Sequence, residues 1–170
     1  MRFLLGLIVG LLLLPAGAYV YVRLGYAPVA TAAPALPFER AITRIALNAR
    51  IQKEAPKDSP VLVTDANLIE GAKEYREHCS VCHGLINQPD TAVAKGMFPN
   101  PPQLFKHGVT DDPVGETYWK VENGIRLTGM PAYAKSVSED KIWKMSLMLA
   151  HADKLPPDAT AILQKPLPVD

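Results

Sequence analysis

Cys79-Ser80-Val81-Cys82-His83 is the stretch on which the reading of this chain turns, because it uses both cysteines of a 170-residue sequence and one of its four histidines. C-x-x-C-H is the attachment spelling for c-type haem. On a helix, positions i, i+3 and i+4 share a face, so Cys79 and Cys82 can take the two haem vinyl groups while His83 points at the iron. One turn then supplies two covalent tethers and an axial ligand. Two other chemistries use cysteine pairs. A thioredoxin-type dithiol belongs among alternating strands and helices, and strand-like runs are almost absent here. Zinc would need further ligands at finger-like spacing, and there is no second cysteine pair.

Away from the motif, a net charge of +1 and ordinary apolar content fit one modest domain with extensions, and nothing suggests a nucleic-acid partner. Most of the sixteen prolines gather at Pro28 to Pro37, Pro56 to Pro60, Pro99 to Pro102 and Pro156 to Pro168, which reads as connectors. From Phe3 to Val22 the chain is apolar for about 20 residues, roughly 30 Å as a helix, enough to cross a bilayer. A cleaved signal peptide is the competing reading, with an apolar region from Phe3 to Leu14 and a small-residue site at Ala16-Gly17-Ala18. The run continues through Tyr19, Val20, Tyr21 and Val22, which favours a retained anchor with tyrosines at interface depth. Arg2 favours a cytoplasmic N-terminus and Arg23 works against that asymmetry. The expectation is a single-pass inner-membrane protein with its haem domain in the periplasm.

Between Arg23 and Pro37 the composition is that of an Ala/Pro spacer. Phe38, Ile42, Ile45 and Ala49 then fall on one helical stripe across from Arg40 and Arg44, with Leu47 and Ile51 on the polar side. Such a stripe suits a membrane surface or the flank of the chain's own domain. The expected organisation is therefore an anchor over 1–23, a Pro-rich linker with a short amphipathic helix over 24–63, a haem domain over 64–155 and a loosely ordered tail over 156–170.

Within that domain Thr64 is a candidate N-cap for a helix through Leu68, Ala72 and Tyr75 that delivers Cys79 at its C-terminal end. Ser138 can cap a last helix carrying Ile142, Trp143, Met145, Leu147 and Leu149, and a shorter helix from Glu116 to Asn123 stops at Gly124. A few helices joined by long Gly/Pro loops need something further to fill the core, and a haem would do so. Gly129-Met130-Pro131 forms a stiff loop poor in side chains, and a methionine sulfur is a soft donor for haem iron, so Met130 is the candidate sixth ligand. Met97, Met145, Met148, His107 and His151 are its rivals.

These residues together resemble a class I monohaem cytochrome c domain of the membrane-anchored bacterial kind. The resemblance rests on Gly71 and Tyr75, on Cys79 to Gly84, on Asn123 to Tyr133 and on the Trp-bearing last helix. It implies an all-α fold whose first and last helices cross at Gly71 and Tyr75 against the face carrying Trp143. It also implies one covalent haem c ligated by His83 and Met130, with the His83 ring N–H donated to the carbonyl of Pro101 or Pro102. Trp119 and Arg126 are candidates for the haem propionates. The implied activity is electron transfer rather than catalysis, with redox proteins of a respiratory or dehydrogenase chain as partners. Membership of a larger oxidoreductase, or sensing through a displaceable Met130, are the alternatives.

Overall fold

The computed structural model describes residues 2–107 and 109–168, the side chain of His107 excepted, and every regular element among them is a helix. The chain divides into two units, Met1–Arg40 and Ala41–Asp170. In the first, helix α1 (Arg2–Arg23) has a mean hydropathy of 2.3 and buries none of its residues. Its 22 residues span about 33 Å, long and apolar enough to cross a membrane.

The second unit begins earlier than the expected boundary at residue 64. All but the first two residues of α2 (Glu39–Glu54) belong to it, and Ile51 of that helix is buried. Ile42 and Ile45, which define the apolar stripe, are instead 65% and 70% exposed. The helix thus packs through the side that the spacing had marked as polar. Its last residue, Glu54, accepts a hydrogen bond from Trp119 Nε1 at 3.2 Å. A Cβ on Gly115 would overlap the backbone of Pro56, so the chain leaving α2 lies against the first turn of α7 (Val114–Asn123).

Helix α3 (Asp65–His78) starts at Thr64, whose Oγ1 accepts from the Asn67 N–H at 3.2 Å. It crosses α8 (Glu139–Ala150) at Gly71, where a Cβ would sit 2.7 Å from the Lys144 carbonyl carbon and 2.9 Å from Met148 Cβ. Trp143 of α8 stacks on Tyr118 of α7, with ring centroids 3.9 Å apart. Buried Glu74 of α3 pairs with Lys141 of α8 at 2.5 Å, and that hydrogen bond holds the Lys141 ammonium above its usual pKa. Ser138 opens α8 with extended backbone, but its side chain makes no capping bond.

The tail departs most from expectation. Residues Pro157–Gln164 form α9, with Ala159 and Leu163 fully buried. Prolines 156 and 157 read as breakers, yet a proline in the first turn of a helix loses no hydrogen bond. Arg76 of α3 donates to the carbonyls of Ile162 (3.3 Å), Lys165 and Pro166 (2.7 Å), serving the unpaired carbonyls at the end of α9. Leu163→Ala should lower the unfolding free energy of the holoprotein by about 2–4 kcal/mol in a denaturant titration. A loss below about 0.5 kcal/mol, the range of an ordinary surface change, would show that the tail does not belong to the core.

Candidate cofactor site

The C-x-x-C-H turn follows α3 without an intervening loop. Cys79 caps α3, its N–H still bonded to Tyr75 O at 2.8 Å, and also opens α4 (Ser80–His83). Ser80 is fully buried and its Oγ donates to Arg76 O at 2.6 Å. Side chains from elsewhere serve the carbonyls where the helices end: Gln103 Nε2 donates to Cys82 O (2.9 Å), Tyr75 Oη to Gly84 O (2.9 Å) and Tyr133 Oη to His78 O (2.8 Å). None of these three bonds was read from the sequence, because each joins residues whose meeting depends on tertiary packing.

His83 Nδ1 lies 2.9 Å from Pro102 O. A carbonyl can only accept, so Nδ1 carries the proton and Nε2 keeps its lone pair. Burial pulls the His83 pKa down, opposed by the bond to Pro102, and the ring is favoured as neutral imidazole, the form that ligates metal. The partner is Pro102 rather than Pro101, whose carbonyl accepts from Gln103 Nε2 at 3.4 Å. Burial first, and the neighbouring Cys82 second, push the Cys79 thiol up to about 12, so it stays protonated.

Beyond the turn lies a cavity of ≈ 240 Å³ whose wall contains Cys79, Cys82, His83 and Met130 together. Leu104, Val109, Val121, Ile125 and Leu149 give much of the remaining wall an apolar surface. Concave, largely apolar clefts with a few converging polar groups are the usual form of ligand sites, and this one has that character. The donors fit haem c: two cysteine thiols, an imidazole with its lone pair fixed, and a thioether. Zinc ligation fits less well. Among the described residues the group that converges as metal ligands is Glu74, Glu77 and His78, not the motif.

Met130 is carried by a loop that folds back on α7. Gly124 ends that helix at φ +66, and a Cβ there would meet Met130 O at 2.9 Å. Within the loop Ile125 N donates to Met130 O (3.2 Å), Thr128 Oγ1 to Ile125 O (2.7 Å) and Met130 N to Thr128 Oγ1 (3.1 Å). Of its rivals, Met145 and Met148 are fully buried in the core, as their helical spacing implied. His151 is bonded through Nδ1 to Leu147 O (2.9 Å) and does not line the cavity. The His107 side chain lies outside the described residues. Met97 does reach the cavity wall.

Trp119 and Arg126 do not line the cavity, and the Trp119 indole N–H is committed to Glu54. Among the described residues, the lysine or arginine on the wall is Lys120, which the sequence reading passed over in favour of its neighbour; it pairs with Asp112, also on the wall, at 2.9 Å. One residue is 100° of helix, enough to exchange the cavity side for the α2 side.

Residues 66–147, from the first turn of α3 through most of α8, match the sequence model of the family described as cytochrome c oxidase, cbb3-type, subunit III. No curated protein matches the chain. Trp119→Phe should leave the visible spectrum and reduction potential of the holoprotein unchanged while lowering stability by roughly 1 kcal/mol through the lost Glu54 bond. A shifted potential would return Trp119 to the cofactor.

Proposed function

We propose that the chain carries a monohaem c-type cytochrome domain and transfers single electrons on the periplasmic side of a membrane to which α1 holds it. The observation that carries this reading is the meeting of Cys79, Cys82, His83 and Met130 on one cavity wall. When bound, haem c supplies the iron couple that accepts and releases one electron. Cys79 and Cys82 would hold it covalently, each by addition of its S–H across a vinyl double bond, a step that would need no oxidant. Pro102 fixes the tautomer and plane of His83, leaving Nε2 for the metal. Met130, on the same wall as His83, would supply the second iron ligand, and Met/His ligation would raise the potential above that of a bis-His site. With His83 and Met130 both holding the iron, no ligand position would remain for a substrate, and the domain would act as a carrier rather than an enzyme in itself. Lys120, rather than Trp119 or Arg126, is the cation on the wall suited to a propionate.

A second reading is favoured by the description of the matched family, which names a subunit of an oxidase. In that case this chain would pass electrons within a larger complex, and it would co-purify from mild detergent with a second polypeptide. A monodisperse single chain would favour the independent carrier.

Met130→Ala should keep haem attached, abolish the far-red ferric band of methionine ligation and let carbon monoxide bind the ferrous protein quickly. Cys79→Ala with Cys82→Ala should release the haem. Fast carbon monoxide binding by the unsubstituted protein would replace the carrier by a ligand sensor. Carbonate extraction of membranes tests the anchor, since a protein released into the supernatant is not held by α1.

A further inference from the structure

We propose that Met97 is the positioning residue for Met130, bracing the ligand loop from the motif side of the cavity; this rests on the reading of Met130 as the sixth ligand. Met97 follows α5 (Ala92–Gly96), is half-buried and lines the same cavity as Met130. A Cβ built on Gly129 would overlap the Met97 methyl group and lie 3.6 Å from its sulfur. The end of the Met97 side chain therefore fills the space that a side chain at Gly129 would need, immediately before the ligand.

The other end of this brace is tied to the C-x-x-C-H turn. Thr91 Oγ1 donates to Val81 O at 2.5 Å and accepts from Ala94 N–H at 3.1 Å, fixing the start of α5 to the motif. Met97 N in turn donates to Ala94 O at 3.4 Å. A short path of contacts thus runs from Val81, between the two cysteines, through Thr91, Ala94 and Met97 to Gly129 and Met130. It couples the side of the site that holds His83 to the side that presents the thioether. Sequence alone gave Met97 no context of this kind, because 32 residues separate it from Gly129.

The test uses the full-length holoprotein and two readouts, the far-red ferric band and the rate at which imidazole displaces the sixth ligand. Met97→Ala should weaken the band and speed imidazole binding roughly tenfold, within the range of coupling between packed neighbours. Met97→Leu, which keeps the bulk but not the sulfur, should behave as the unsubstituted protein. Gly129→Ala should resemble Met97→Ala, and combining the two should recover much of the lost ligand retention, because the new methyl enters the space that Met97 leaves. Unchanged imidazole kinetics in Met97→Ala would overturn the proposal. If Met97→Leu lost the band as well, Met97 would be a ligand and not a brace, which also overturns it. Retention of the band in Met130→Ala would separately remove the underlying reading of Met130.

Discussion

Gly71 lies where α3 and α8 approach too closely for a side chain, with only 2.7 Å between a would-be Cβ and the Lys144 carbonyl carbon. That contact fixes the course of α3, and no flexible segment separates the end of α3 from the C-x-x-C-H turn. The two thiols and the imidazole therefore inherit their placement from helix packing rather than from a loop. On another side of α3, Arg76 holds the end of α9, and the buried Leu163 completes the packing. A change at either contact would be felt at Cys79 without touching the cavity.

What the sequence disclosed follows the range of the physics involved. The Thr64 cap, the glycine at the crossing, the motif turn and the Gly124 stop are rules that act within a few residues or at one backbone contact, and they were legible. Legibility failed where two local rules gave opposite answers. The stripe of Ile42 and Ile45 obeys helical periodicity, yet the domain buries Ile51 from the opposite side, because tertiary contact chooses between two faces that are each partly apolar. Prolines 156 and 157 punctuate the chain, yet begin a helix. It also failed at single-residue resolution: adjacent carbonyls at Pro101 and Pro102, or adjacent side chains at Trp119 and Lys120, differ only by backbone rotation.

The charges around the domain are largely balanced locally. Of the lysines at 95, 106, 120, 135, 141 and 144, four pair with a carboxylate: Lys106 with Asp90, Lys120 with Asp112, Lys141 with Glu74 and Lys144 with Asp140. Pairs at a surface are worth little each, but they dilute any field of one sign that would steer a partner from a distance. The cofactor cavity follows the same economy of charge. Its wall is largely apolar, and the Lys120 ammonium there is paired with Asp112 on the same wall.

The Met130 loop shows how the thioether can be held firmly by short polar contacts. Leu127 adopts φ +62 and is 84% exposed, an unfavourable backbone for a residue with a branched side chain and one not repaid by burial. Such a conformation persists only when its surroundings over-determine it. Here Thr128 both donates to Ile125 O and accepts from Met130 N, while Ile125 N closes onto Met130 O, so the residues flanking Leu127 are bonded to one another. Gly124 lets the returning strand of the loop lie against the end of α7, and Tyr133 N, bonded to Val121 O at 3.1 Å, fixes its exit. Under the proposed ligation by Met130, a thioether held at both ends in this way would move little when the charge beside it changes by one. Preorganised groups avoid the cost of rearrangement at the moment charge is transferred, and on the function proposed above the strain at Leu127 would serve the exchange of electrons rather than the stability of the fold.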